Sequence, residues 1–253
     1  MTQATLSPPY ASPAHLVLAL SQQGQAVLSP QGVGELAQCS APELAALGAT
    51  WQDLPPDEYL RDGGRYRRRR HSCFVVHEGR VTQAPHRAHW QPLAYNALHG
   101  GMQRWFAPIR ADVVALPAWT RLLCWLAEVA DRAWGARPWY VEAHQFRIDT
   151  TDGIGRPTPE GAHRDGVDLV AVFLVARQGV KGGETRVFDV RGPQGVRFTL
   201  AESWSLLLLD DERVIHESTP IQPVDAAATA HRDTLVVTLR RDGFQGPQAM
   251  LSA

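Results

Sequence analysis

Residues 157–189 read PTPEGAHRDGVDLVAVFLVARQGVKGGETRVFD, and their reading decides the fold. A segment punctuated by Pro and Gly, residues 157–166, gives way to the apolar, β-branched run at 169–176. The turn Gly182-Gly183 follows, and then a second short run at 185–189. Such runs, bounded by Gly and charged turns, read as strands. The pattern recurs on both sides. WYVEAHQFRIDT lies before the stretch, and VRFTL, SWSLLLLD, RVIHES and TLVVTLRR come after it. Many short strands at this spacing predict a sandwich or barrel, so residues 136–241 are expected to form a β-rich core.

Inside the deciding stretch, His163 and Asp165 stand at i and i+2. On an extended segment both side chains point to the same side. His216, at the end of a later strand-like run, is a third candidate ligand. Two imidazoles and one carboxylate on one face of a cation make the facial triad of non-haem iron(II) oxygenases. A lone His-x-Asp is common; the strand, the Gly-Gly turn, the second strand series and the isolated His give this one weight. Three protein ligands leave three positions for a bidentate co-substrate and dioxygen. If the co-substrate is 2-oxoglutarate, its far carboxylate needs a fixed cation. Arg232 lies after His216 and opens the strand TLVVTL, with Thr234 on its face at i+2. A guanidinium fork beside a hydroxyl is a good carboxylate clamp.

These residues carry a resemblance. They are Tyr66-Arg67-Arg68-Arg69-Arg70, His144-Gln145-Phe146-Arg147, the PTPEGxHxDG stretch, Gly182-Gly183-Glu184-Thr185, His216-Glu217-Ser218-Thr219-Pro220-Ile221 and His231-Arg232-Asp233. The chain resembles the 2-oxoglutarate/iron(II) dioxygenases that include bacterial L-isoleucine 4-hydroxylase and its relatives acting on free aliphatic amino acids. The likeness spans most of residues 65–240 and does not extend to the first 60. It implies a mostly β fold, a double-stranded β-helix or jelly roll, flanked by helices from the N-terminal part. It implies Fe(II), 2-oxoglutarate and O2, with His163, Asp165 and His216 as iron ligands and Arg232, helped by Thr234, on the 2-oxoglutarate carboxylate. The reaction implied is hydroxylation, or sulfoxidation of a thioether, with release of succinate and CO2. Halogenation is not expected, because the carboxylate ligand Asp165 is present. The substrate implied is a free L-amino acid with an aliphatic or thioether side chain. Its carboxylate needs a cation, for which Arg147 is the candidate; the competing reading is an ion pair of Arg147 with Asp149 or Glu160. His144 is a candidate pocket residue, against a satisfied buried imidazole.

Other functions are weighed on the same residues. A cupin-like metal enzyme without 2-oxoglutarate needs no second carboxylate clamp. A 2-oxoglutarate hydroxylase of a different small molecule would share the iron site. A nucleic-acid-binding barrel could use Arg67, Arg68, Arg69 and Arg70, but Tyr66 and Phe74 are poor supply for base stacking. The formal net charge of -1 also gives no electrostatic footprint for nucleic acid. The run is therefore read as a strand whose arginines pair with acids or line an anionic pocket.

The 253 residues suffice for one large domain, expected to cover residues 1–253. Residues 1–14 are expected to be a loosely held tail, and 15–135 a mixed helical and strand support. The stretch at 15–30 predicts a short helix or strand turned by Gly24. Ser40 and Glu43 have capping-box spacing, which predicts a helix over 42–47 stopped by Gly48. DLPPDEYL predicts a turn and part of a helix. Residues 116–135 hold the clearest helix, with apolar residues recurring at three and four. Cys39, Cys73 and Cys124 form no CxxC pair, the N-terminus lacks a basic leader, and no apolar run would cross a bilayer. A cytoplasmic enzyme of a small molecule, without membrane or nucleic-acid partners, is expected.

Overall fold

The computed structural model describes residues 6–226, 228 and 230–247. In chain order it contains α1 (Leu16–Gln23), β1 (Gln25–Leu28), α2 (Pro30–Leu36), α3 (Ala41–Gly48), β2 (Arg67–His77), β3 (Arg80–Gln83), α4 (Ala111–Val114) and α5 (Pro117–Trp134). Then come β4 (Trp139–Asp149), β5 (Leu169–Gln178), β6 (Val180–Gly182), β7 (Thr185–Asp189), β8 (Gly195–Phe198), β9 (Leu206–Asp210), β10 (Val214–Ser218), β11 (Ile221–Pro223) and β12 (His231–Arg240).

Seven strands make one large antiparallel sheet in the order β1-β9-β5-β12-β4-β2-β3. Strands β10-β7-β8 form a smaller sheet, and β11 pairs with β6. The large sheet is buried on both faces, which explains the unbroken apolar runs of β5 and β9. With a period of two, Ala171, Phe173, Leu206, Leu208, Leu235 and Val237 face the helices. Val170, Leu174, Leu207 and Leu209 face the small sheet, meeting Val187, Phe198 and Val214. This is the mostly β jelly roll, with helices covering one side.

Local chemistry sets the helices. In α3 the Ser40 hydroxyl accepts from Glu43 N–H, and the Glu43 carboxylate accepts from Ser40 N–H at 2.9 Å, a complete capping box. In α5, Trp119, Leu122, Leu123, Leu126, Val129 and Ala130 are buried on one stripe, and Gly135 at φ 89° ends the helix. Gly24 joins α1 to β1 at φ 71°, where a Cβ would meet Val214 Cγ1 at 2.8 Å.

Two expectations are corrected. Residues 1–5 lie outside the described residues, but those after them are tied down. Tyr10 bridges Val27, its hydroxyl donates to Glu202, and Leu6 O accepts from Thr199 N–H. Residues 53–60 form no α-helix beyond the 3-10 turn Ala49–Asp53. Pro55 and Pro56 cannot supply helical N–H groups. Pro56 instead bridges Arg68, and Asp57 is recruited inward by Arg67.

Trp119 is 1% exposed and lies against Phe74 with ring centroids 5.7 Å apart. Trp119→Ala is expected to destabilise the protein by about 3–5 kcal/mol, read as a lowered urea midpoint. An unchanged midpoint would show that α5 is not anchored through this ring.

Candidate active site

The segment before β5 is stitched to β10 and β11 as an irregular strand. Gly155 bridges Ile221, Thr158 Oγ1 donates to Ser218 O and accepts from Ser218 N–H, and His163 and His216 exchange backbone hydrogen bonds at 3.0 and 2.9 Å. The last pair sets the two imidazoles side by side, with ring centroids 4.6 Å apart. The turn after His163 needs Gly166 at φ 75°, where a Cβ would strike the Tyr95 ring. The Asp211 carboxylate gathers the N–H groups of Asp165, Gly166 and Val167 at 2.7–3.1 Å. Burial, and then Asp165, push Asp211 up to about 7 against those three donors.

His163, Asp165 and His216 bring ligand atoms within 4.8 Å of one another. His163 Nε2 lies 3.8 Å from Asp165 Oδ1, and His216 Nε2 lies 3.9 Å from Asp165 Oδ2. Two atoms about 2.1 Å from one ion are at most roughly 4.2 Å apart, so both pairs can share a cation. His163 Nδ1 sits 2.9 Å from Gly161 O, which fixes the tautomer that leaves Nε2 free. Burial, then His163, hold His216 neutral, the form a metal needs. Burial raises Asp165 despite the His163 beside it, the condition of a buried carboxylate that gains from a cation. Gln91 Nε2 donates to Asp165 Oδ1 at 2.9 Å and aims the carboxylate. The donor set fits an iron(II) ion.

The triad opens into a cavity walled by β2, β4 and β12. Arg232 and Thr234 line it from β12. Arg232 is 4% exposed, its Nε has no hydrogen-bond partner, and among the described residues no carboxylate pairs with it. Burial, then the neighbouring Arg177, push its pKa down to about 10. A buried guanidinium in this state calls for an anion.

Arg147 does not line the cavity, and its expected role there is corrected. Side chains alternate along β4, so His144, Phe146 and Ile148 face the cavity while Arg147 faces away. It donates twice to Asp233, its cross-strand neighbour on β12, at 2.8 and 2.7 Å. The ion pair is with Asp233, not with Asp149 or Glu160. His144 does line the cavity, and its Nδ1 lies 2.6 Å from Arg69 Nη2.

The arginine run alternates too. Arg67 and Arg69 are buried and face the cavity, with Arg67 on Asp57 at 2.7 Å. Arg69 is clasped between the rings of Phe106 and Phe146, at 3.8 and 4.3 Å from their centroids. Arg68 and Arg70 point outward to Asp149 and Asp53.

A second group, His71, His89, Glu142 and His144, also brings ligand atoms within 4.8 Å. Its members are tied by hydrogen bonds, although the buried His71 Nδ1 has no partner. Glu142 Oε2 lies 2.8 Å from His71 Nε2 and 2.7 Å from His89 Nδ1, and His144 is engaged by Arg69. The His71 and His144 rings stack at 21°, with centroids 4.6 Å apart. Gln91, Asn96, His99 and Arg104 line the cavity from a loop without periodicity, so no sequence pattern marks them.

Among the described residues no helix is long and apolar enough to cross a membrane. No curated protein matches the chain. A bsmA homolog from Methylobium petroleophilum PM1 is 52% identical in a solved structure, at TM-score 0.89, with 95% of this chain and 98% of that one covered. IDO from Bacillus thuringiensis has TM-score 0.74 at 19% identity, covering 91% and 100%. The Fe(II)/α-ketoglutarate-dependent dioxygenase TqaL has TM-score 0.70 at 19% identity, covering 90% and 87%. These two share the fold. Residues 48–238 match the model of the 2OG-Fe dioxygenase family, well over half of the chain and every strand that walls the cavity. The chain belongs to the 2OG-Fe dioxygenase family, whose members use Fe(II), 2-oxoglutarate and O2.

Proposed function

We propose that the protein hydroxylates, or sulfoxidises, a free aliphatic L-amino acid. Substrate, 2-oxoglutarate and O2 would give oxidised substrate, succinate and CO2, one oxygen atom going to each organic product. The observation that carries the reading is that one cavity holds the His163-Asp165-His216 triad, the unpaired Arg232 guanidinium and a wall of Phe146, Ile148, Val172 and Val236. Resemblance to the free-amino-acid hydroxylases supplies the substrate class. The free thiols Cys39, Cys73 and Cys124 accord with a reducing, cytoplasmic setting.

Bound iron(II) supplies the activation of dioxygen; the chain does the rest. His163, Asp165 and His216 would hold the ion, and a facial triad would leave it open positions for the co-substrate. Arg232 takes the far carboxylate of 2-oxoglutarate, with Thr234 on the same face, and so sets the co-substrate's direction. The apolar wall excludes water and receives the side chain. One methylene is worth only about 1–3 kcal/mol in such a wall, so several aliphatic side chains should be accepted.

Asp211 acts through the loop, since its three N–H contacts set the position of Asp165. Asp211→Ala is expected to weaken iron(II) or cobalt(II) binding about 10–100-fold with the fold retained. Calorimetric titration of the apo protein measures this, and unchanged affinity would remove Asp211 from the metal's support.

Arg232→Ala should weaken 2-oxoglutarate at least about tenfold, because a charge-assisted contact is worth roughly 1.5–3 kcal/mol. The visible band of the anaerobic iron(II)–2-oxoglutarate protein reports the affinity. Unchanged affinity would move the clamp elsewhere.

The substrate reading is tested with a panel of free amino acids, N-blocked derivatives and peptides, scored by a product about 16 mass units heavier, one inserted oxygen atom. Leucine, isoleucine or methionine should be oxidised. Oxidation confined to blocked amino acids, peptides or nucleobases would refute it.

A further inference from the structure

We propose that Arg67, His99, Arg104 and Glu160 form a zwitterion subsite: the first three hold the substrate α-carboxylate, and Glu160 holds the α-ammonium and selects against N-blocked substrates. The inference rests on the amino-acid reading and assigns its polar contacts.

All four residues line the cavity beside the triad. His99 is 0% exposed, and neither ring nitrogen has a partner. Arg104 is 2% exposed with Nε unpartnered, and Arg67 is 5% exposed with Nη2 unpartnered. Glu160 keeps Oε2 buried and unpartnered. Buried polar groups are normally hydrogen-bonded, so donors and an acceptor left open around one cavity indicate a ligand that completes them. Burial, then Arg67 and Arg104, push His99 down to about 4, so it enters as a neutral ring with one N–H to give.

The other charged groups nearby have partners, although Arg69 Nε is also left open. Arg69 is held between two aromatic rings and donates to His144. Glu142 serves His71 and His89, and Asp57 serves Arg67 and Tyr59 N–H. Around this end of the cavity three guanidinium groups, Arg67, Arg69 and Arg104, face three carboxylates, Asp57, Glu142 and Glu160. That balance suits a guest with no net charge but two charged groups. An N-acyl amino acid would bring a carboxylate without the ammonium that Glu160 needs.

The subsite also lies against the chemistry. Glu160 Oε1 is 3.5 Å from His163 Nε2. Arg104 donates to Gln91 Oε1 at 2.9 Å, and Gln91 donates to Asp165 at 2.9 Å. An amino acid anchored here by both α-groups has its side chain within reach of the triad face.

The test compares wild type with Glu160→Gln and Arg104→Gln, both shown folded by circular dichroism. An amino acid from the panel, its N-acetyl derivative and its amide are titrated into anaerobic iron(II)–2-oxoglutarate protein, read by the shift of the visible band, and KM and kcat are measured in air. Glu160→Gln should weaken the free amino acid at least about tenfold and shrink its advantage over the N-acetyl form, with KM moving more than kcat. Arg104→Gln should weaken the free amino acid but leave the amide nearly unchanged. Wild-type affinity in either variant overturns the subsite. So does an equal loss for all three ligands, which would place Glu160 or Arg104 in support of the metal. If wild type binds no free amino acid, the amino-acid reading falls and takes the subsite with it, an outcome visible before any variant is measured.

Discussion

Two backbone hydrogen bonds, His163 N–H to His216 O and His216 N–H to His163 O, bring the halves of the site together. The ligands come from distant parts of the chain, and the segment holding His163 and Asp165 belongs to no regular strand. Ordering such a segment costs roughly 1–2 kcal/mol per residue in backbone entropy. It is offset by contacts at intervals: Gly155 with Ile221, Thr158 with Ser218, His163 with His216, and three N–H groups on Asp211. The edge of the jelly roll thus brings the three side chains together through backbone contacts, with Asp211 buried beneath the loop.

The second constraint is electrostatic. Arg67, Arg69, Arg104 and Arg232 are all nearly buried around one cavity. Burying a charge is costly unless it is paired. The fold offsets part of this with Asp57, Glu142 and the faces of Phe106 and Phe146. It leaves Arg232 without a carboxylate and the Arg67–Arg104 end with open donors. Those two places are where bound anions would complete the structure, so ligand binding and the stability of the cavity are linked.

His163, Asp165 and His216 were legible as a cluster because His163 and Asp165 obey the period of an extended chain and His216 lies in a clear strand. The same period put Arg232 and Thr234 on one face, and both line the cavity. That rule also rules against pairing Arg147 with His144. They stand at i and i+3 on one strand, so they cannot both face inward. The alternation of the arginine run carried equal information, placing Arg67 and Arg69 on one face. Gln91, His99 and Arg104 lie in a loop with no period to read, and only the fold brings them to the cavity. DLPPDEYL misled because its acidic, partly apolar composition suits a helix, while Pro55, Pro56 and the buried Arg67 dictate otherwise.

Register keeps the two proposed anion sites apart. Arg232 of β12 and Arg67 of β2 are both opposite Ile148 of β4. They share a row, two strand spacings or about 10 Å apart. One turn of the pleat along, Thr234 and Arg69 flank Phe146. Apolar residues of the central strand thus lie between Arg232 and the arginines of β2, the cations proposed for co-substrate and substrate. A dicarboxylate held on Arg232, as proposed, would have to desolvate its charge against Ile148 and Phe146 to slide along the row. The separation needs no moving part. It follows from three adjacent strands that put cation, apolar wall and cation in sequence, with the triad closing the cavity from the opposite sheet.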